Sequence, residues 1–143
     1  MAKPAVGPSE LVRGCIDLGL RLRQALAAAL EPFGVTPEQQ ELLRQLVAGR
    51  QSPGELVVAT GRDKTTLSRV IARAVALGLV ERAVDDRDKR RQVLRATARG
   101  AQVYEHAERA VEREAAQLLE SLSPRQRRRL GKTLRRLGSE ERG

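Results

Sequence analysis

Three times in this chain a Ser or Thr is followed at once by Pro and, three residues on, by Glu or Gln. The segments are Thr36-Pro37-Glu38-Gln39, Ser52-Pro53-Gly54-Glu55 and Ser123-Pro124-Arg125-Gln126. Each is a capping box with Pro at the first helical position. The hydroxyl accepts a backbone N–H that the first turn leaves without a partner, and the Glu or Gln side chain reaches back to the N–H of the cap. Each cap contributes about 1 kcal/mol. Together they fix three helix starts and predict helices over 37–48, 53–60 and 124–137. The first of these is expected to bury Leu42, Leu43, Leu46 and Val47 and to end at Gly49.

The other elements fall between these starts. Leu11, Cys15, Leu18, Leu22, Leu26, Ala29 and Phe33 recur every three or four residues from Ser9 onward, which predicts a long amphipathic helix ended by Pro32-Phe33-Gly34. A helix that long exceeds what one small core needs and suits a long partner helix, such as one from a second subunit. Gly61 marks a turn, and Asp63 can cap a helix from Lys64 to Leu77 that stops at Gly78. Leu67, Val70, Ile71 and Ala74 face inward on that helix. Leu79–Val84 and Arg91–Ala96 alternate as two short strands around Asp85–Arg90. Thr97 then caps a helix to about Leu122, with Val103, Ala107, Ala110, Val111, Ala115, Leu118, Leu119 and Leu122 as its apolar stripe. The fold class is mainly α with a small β-hairpin wing: a winged helix-turn-helix between long N- and C-terminal helices. A winged helix-turn-helix places one helix in the DNA major groove.

Charge points to the same kind of partner. The 143 residues are enough for one domain with a real core and carry a net charge of +9, which favours a polyanion, either nucleic acid or an acidic membrane surface. Aromatics are nearly absent, with Phe33 and Tyr104 alone, which disfavours stacking on single strands. Cys15 is the single cysteine and His106 the single histidine, so no internal disulfide, cysteine cluster or imidazole pair can form. No metal or other cofactor is expected, and no catalytic constellation can be assembled. Residues 1–10 hold one Lys, two Pro and no apolar run, unlike a signal peptide, and no 18-residue apolar stretch exists to span a membrane. The expected location is the cytoplasm.

Two stretches carry the chemistry. Lys64, Thr65, Thr66, Ser68 and Arg69 open the second helix of the turn, with Arg62 just before it and Arg73 one turn further on. No acid lies between Lys64 and Leu77, whereas an ordinary solvated face mixes signs. Arg can bond guanine through two N–H groups, Ser and Thr can bond bases or phosphate, and a helix N-terminus favours phosphate. The bland counterpart is a solvated, well-capped helix. The hairpin sets Arg87, Lys89, Arg90 and Arg91 among Asp85, Asp86 and Asp88. It is either a polar tip that keeps a sheet edge soluble or a wing that brings Arg to the minor groove or to phosphate. Asp88, two residues before Arg90, can aim the guanidinium through a charge-assisted hydrogen bond.

The run Leu56, Gly61, Thr65-Thr66-Leu67-Ser68-Arg69, Gly78-Leu79-Val80-Glu81-Arg82 and Asp85-x-x-Asp88-Lys89-Arg90 resembles the MarR family of bacterial transcriptional regulators. Length and helix order agree from about residue 9 to 137. The hairpin pattern Asp-x-x-Asp-Arg-Arg is the most specific part, with Lys89 in place of its first Arg. The resemblance implies a homodimer that presents two winged helices to a pseudo-palindromic operator, most simply as a repressor. Its divisions are a flexible N-terminus at 1–8, a helical dimerisation region at 9–34 and 97–138, a DNA-binding domain at 35–96, and a flexible C-terminus at 139–143. By position, Thr65, Thr66, Ser68 and Arg69 read the major groove and Asp88 and Arg90 make the wing contact. The chain departs from the pattern at Thr60, where the family has Leu, and at Ala74, Val75 and Leu77, where Leu, Glu and Lys are common.

Many members of the family bind a small phenolic or lipophilic effector between the dimerisation helices and the DNA-binding lobe. With two aromatics, this chain can offer an aliphatic pocket or no working pocket, not an aromatic cage. One branch senses hydroperoxides with a lone cysteine of the first helix, aided by tyrosines. Cys15 is therefore a redox-sensing candidate, set against a cysteine packed in the core or an interface. The seven Lys and Arg of 123–137 mark either a dimer-packing helix with a cationic outer face or an extra phosphate surface. A basic architectural protein with little sequence preference is the alternative to a site-specific regulator. A protein-binding winged helix is a third class.

Overall fold

A computed structural model describes residues 3–139. Helix α1 spans Pro8–Leu30 and runs through a short 3-10 turn at Glu31–Phe33; α2 is Pro37–Val47, α3 Pro53–Thr60 and α4 Lys64–Ala76. Strands β1, Val80–Val84, and β2, Gln92–Ala96, pair antiparallel, from Val80 opposite Ala96 to Val84 opposite Gln92. Helices α5, Ala98–Leu118, and α6, Pro124–Ser139, complete the chain.

All three capping boxes form. Thr36 Oγ1 accepts from Gln39 N–H at 3.2 Å while Gln39 Oε1 accepts from Thr36 N–H at 2.9 Å. The boxes at Ser52 with Glu55 and at Ser123 with Gln126 repeat both bonds. Because these are bonds between residues three apart, they need no tertiary context, and the three helix starts fall where the sequence places them. Asp63 caps α4 through Thr66 N–H at 2.8 Å. Gly61 and Gly78, at φ 66° and 72°, turn the chain where a side chain would be strained.

Helix α2 is the hub, packed against α1, α3, α4, α5 and β2. Leu42 and Leu43 are fully buried there, with Leu30, Leu56, Leu67, Ile71, Leu79, Val80 and Leu94 around them. Burying one such side chain stabilises by about 1.5–3 kcal/mol. A helix enclosed on so many sides buries more than one apolar stripe, so Gln39, Gln40 and Gln45 are buried as well. Gln40 Nε2 donates to Tyr104 O and Glu108 Oε2, and Gln45 Nε2 to Glu41 Oε1. Val47 is a correction: it is exposed, because it faces the one side of α2 left open at its last turn.

Three further differences concern the long helices. Helix α1 starts at Pro8, with Gly7 at its N-cap, and α6 runs on to Ser139, into the expected C-terminal tail. The remainder of that tail, 140–143, and Met1 and Ala2 of the expected N-terminal tail lie outside the described residues. Helix α5 stops at Leu118 rather than Leu122. The chain needs a turn before the Ser123 cap, and Arg127 reaches back to the carbonyls of Leu119 and Leu122 at 2.9 and 3.1 Å. Cys15 is exposed, so it is not packed in the core of this protomer. The first half of α1 extends past the rest of the chain, and Leu11, Val12, Ile16, Leu18 and Leu20 are exposed with it.

Candidate nucleic-acid interface

The winged lobe is tied together by backbone bonds between segments far apart in sequence. Leu94 N–H donates to Gln51 O at 2.8 Å, which fixes β2 to the start of α3. Thr97 N–H donates to Leu79 O at 3.0 Å and Thr97 Oγ1 to Gly78 O at 2.6 Å, which fixes α5 to the exit of α4. Helix α4 and the hairpin are thus held by the same frame. Thr60 has its own use in the turn: its hydroxyl donates to Leu56 O and accepts from Arg62 N–H, satisfying backbone groups at the end of α3. Val75 and Leu77 are half-buried against the core, which accounts for apolar residues at those positions.

On α4, Leu67, Ile71 and Ala74 are buried and Val70 half-buried, leaving Lys64, Thr65, Ser68, Arg69 and Arg73 exposed together. None of Lys64, Arg69 and Arg73 is in an ion pair among the described residues. Two of the expected contact residues are otherwise engaged. Thr66 Oγ1 donates to Asp63 Oδ2 at 2.7 Å, leaving its lone pairs but not its proton for a ligand. Arg62 is half-buried and lies 3.6 Å from Glu38 Oε1.

Glu38 also accepts from Arg23, so one carboxylate links α1, α2 and the turn before α4. Sequence reasoning missed this link, since its three partners are far apart in the chain. Burial raises the Glu38 carboxyl, but the Arg23 hydrogen bond and the charges of Arg23 and Arg62 outweigh burial and hold it below its ordinary 4.5. A carboxyl held low stabilises the fold above its unfolded pKa, and that contribution is lost as pH falls through the folded pKa. Thermal stability of the wild type should therefore drop more steeply below pH 4.5 than that of Glu38→Gln. Parallel curves of Tm against pH would show that the link contributes nothing.

In the hairpin, Asp88 Oδ1 accepts both Arg90 N–H at 3.1 Å and Arg90 Nε–H at 3.3 Å. The aim expected of Asp88 is present, and it points a side chain that is 93% exposed. Arg87, Lys89 and Arg91 are exposed around it. A pair that sequence reasoning missed, Arg95 with Asp86 at 3.0 Å, braces the same loop from β2. The antiparallel register brings the start of the loop back toward β2, a relation that composition alone does not reveal. His106 is exposed on α5, and no described helix is long and apolar enough to cross a membrane.

Comparison with known proteins agrees with this architecture. Residues 33–91 match the sequence profile of the MarR family. A Thauera aromatica protein named as a transcriptional regulatory protein for the hcr operon is 32% identical over 141 residues, covering 90% of this chain and 84% of that protein. Mutant MarR from E. coli, complexed with operator DNA, superposes with a TM-score of 0.82 at 25% identity, over 89% of this chain and 92% of that one. CouR from Rhodococcus jostii RHA1, bound to p-coumaroyl-CoA, superposes with a TM-score of 0.77 at 20% identity, over 85% and 86% of the two chains, a likeness of fold. A helix-turn-helix, a braced basic hairpin and this degree of identity along nearly the whole length lead to one conclusion: the chain belongs to the MarR family of transcriptional regulators.

Proposed function

We propose that this regulator is a cytoplasmic, non-enzymatic homodimer that binds a pseudo-palindromic duplex operator and represses from it. The observation that carries the proposal is the exposed, acid-free face of α4. Lys64, Thr65, Ser68 and Arg69 would meet base edges and phosphates in the major groove, with Arg73 on the backbone. Thr66 would act as an acceptor only, and Arg62 would reach phosphate once loosened from Glu38. Arg90, aimed by Asp88, would contact the minor groove or its phosphates, with Arg87, Lys89 and Arg91 adding charge.

An effector would act where α1, α2 and α5 meet. A cleft of about 230 Å³ there is lined by Leu26, Leu30, Pro37 and Val111, with Gln40, Glu41, Arg44 and Glu108 as polar groups. Gln40 Oε1 is buried without a hydrogen-bond partner among the described residues. The aliphatic wall suits the body of a small lipophilic or phenolic molecule, and Glu41, Arg44 and Glu108 would meet its hydroxyl. Cys15 is exposed on α1 and would be a redox sensor only through an interface that α1 forms.

The test separates base reading from phosphate binding. With a site selected from a random duplex pool, Arg69→Ala should cost about 1–3 kcal/mol on that site and little on random DNA. Arg90→Ala should weaken both. Equal losses on both duplexes for Arg69→Ala would remove its assigned role. A wild type that selects no site would make this an architectural DNA-binding protein instead.

A further inference from the structure

Helix α6 carries seven cations, Arg125, Arg127, Arg128, Arg129, Lys132, Arg135 and Arg136, and no acid between Pro124 and Ser139. Arg127 is committed to the carbonyls that end α5. At 100° per residue the other six fall within an arc of about 120°, opposite Leu130, Leu134 and Leu137. None of the six is in an ion pair among the described residues, and all are exposed. Glu140 and Glu141 follow in the sequence, beyond the described residues.

The chain supplies its own comparison. Helix α5 is also largely exposed, yet it mixes Glu105, Glu108, Glu112 and Glu114 with Arg109 and Arg113, and Glu105 pairs with Arg109 at 2.9 Å. An ordinary solvated face in this protein therefore mixes both signs. The face of α6 does not, and its neighbouring cations repel one another at spacings of three and four residues.

The face is also separate from α4 and the hairpin. Helix α6 shares no extended packing with α2, α3, α4 or the two strands. It begins beyond the far end of α5, whose 21 residues carry the chain about 31 Å from the exit of α4. Over about 17 Å of α6, each turn offers one or two cations. A duplex carries a negative charge every 1.7 Å or so of its axis, roughly ten phosphates in that length.

We propose that the outer face of α6 is a second DNA-binding surface, sequence-independent, which takes the phosphates of a duplex other than the one held by α4. A polyanion relieves the unpaired charge, and the six cations meet its phosphates as point charges along the duplex. DNA is favoured over a lipid surface because a membrane helix must sink its apolar face into the bilayer, and on α6 that face, Leu130, Leu134 and Leu137, is the one a second copy of the chain would cover. In this protein α6 would let a bound regulator bridge two stretches of DNA.

The proposal rests on the DNA-binding reading of α4, and one experiment distinguishes their failures. An immobilised random duplex of about 40 base pairs, long enough for both winged helices of a dimer, is coated with the full-length protein at low salt. A second, fluorescent random duplex is then added. The wild type should coat the first duplex and capture the second. The variant Arg125→Gln/Arg128→Gln/Arg129→Gln/Lys132→Gln should still coat the first and capture at least ten-fold less of the second. The charge-keeping variant Arg125→Lys/Arg128→Lys/Arg129→Lys should capture as the wild type does. Equal capture by the Gln variant, or loss in the Lys variant too, overturns the proposal. So does preference of the wild type for phosphatidylglycerol vesicles over the second duplex. If the Gln variant cannot coat even the first duplex, the reading of α4 is the one that fails.

Discussion

Gly100→Ala is expected to destabilise the protein by about 3 kcal/mol or more, at the upper end of what overpacking costs. A Cβ at Gly100 would lie 1.9 Å from Leu79 O and 2.8 Å from Leu79 C. These are backbone atoms and cannot rotate away. Leu79 is buried, and its carbonyl is pinned by Thr97 N–H at 3.0 Å. The neighbouring Gly78 carbonyl is pinned by the Thr97 hydroxyl at 2.6 Å. The first turn of α5 therefore lies flush against the link between α4 and β1, and any relief must move the frame that holds α4 and the hairpin together. Urea denaturation checks the effect, with Gly54→Ala as the control. Gly54 is also helical but has open space around its Cβ, so alanine there should stabilise by about 0.5–1 kcal/mol. A Gly100→Ala midpoint equal to that of the wild type would mean that the close approach of α5 to Leu79 is not what holds the lobe.

Gly100 also marks the limit of what the sequence makes legible. The capping boxes, the Asp63 cap, the turn at Gly61 and the Asp88–Arg90 pair are interactions within three residues, so residue order alone carries them. The hairpin is readable for a related reason, since its loop fixes its register. The contacts that escaped join distant segments: Gly100 with Leu79, Gln51 with Leu94, and Glu38 with Arg23 and Arg62. Burial on α2 escaped in the same way. A helix with one open side obeys the amphipathic pattern, but α2 is enclosed by five elements, so Gln40 and Gln45 go inside while Val47 stays out. On the outward surface of α4 and the hairpin the residue types were legible, but how they are occupied was not. That Thr66 spends its proton on a cap and Arg62 leans on Glu38 depends on rotamers and partners that only the folded chain specifies.

Ile16→Asp combined with Leu134→Asp should convert a dimer to monomers and lower affinity for a duplex with two half-sites by about 100-fold or more. Both side chains are largely exposed in the protomer, at 66% and 60%. A charge placed there meets water and should leave an isolated protomer folded. They are not scattered residues: Leu11, Val12, Leu18 and Leu20 share the free half of α1 with Ile16, and Leu130 and Leu137 share a face of α6 with Leu134. Apolar surface gathered on two terminal helices, and left uncovered by the rest of the chain, is where a second copy would pack. In that dimer the same aspartates would be buried without partners, which disfavours association far more than it affects the protomer. The loss in DNA affinity follows from linkage. Two joined winged helices bind the second half-site as an intramolecular step, worth a factor of about 10²–10⁴ over separate modules when the spacing fits. A single half-site should bind the variant as it binds the wild type, because α4 and the hairpin are untouched. Sedimentation and titration against one-site and two-site duplexes measure all three quantities. A variant that remains dimeric with undiminished two-site affinity would place the interface elsewhere than on α1 and α6.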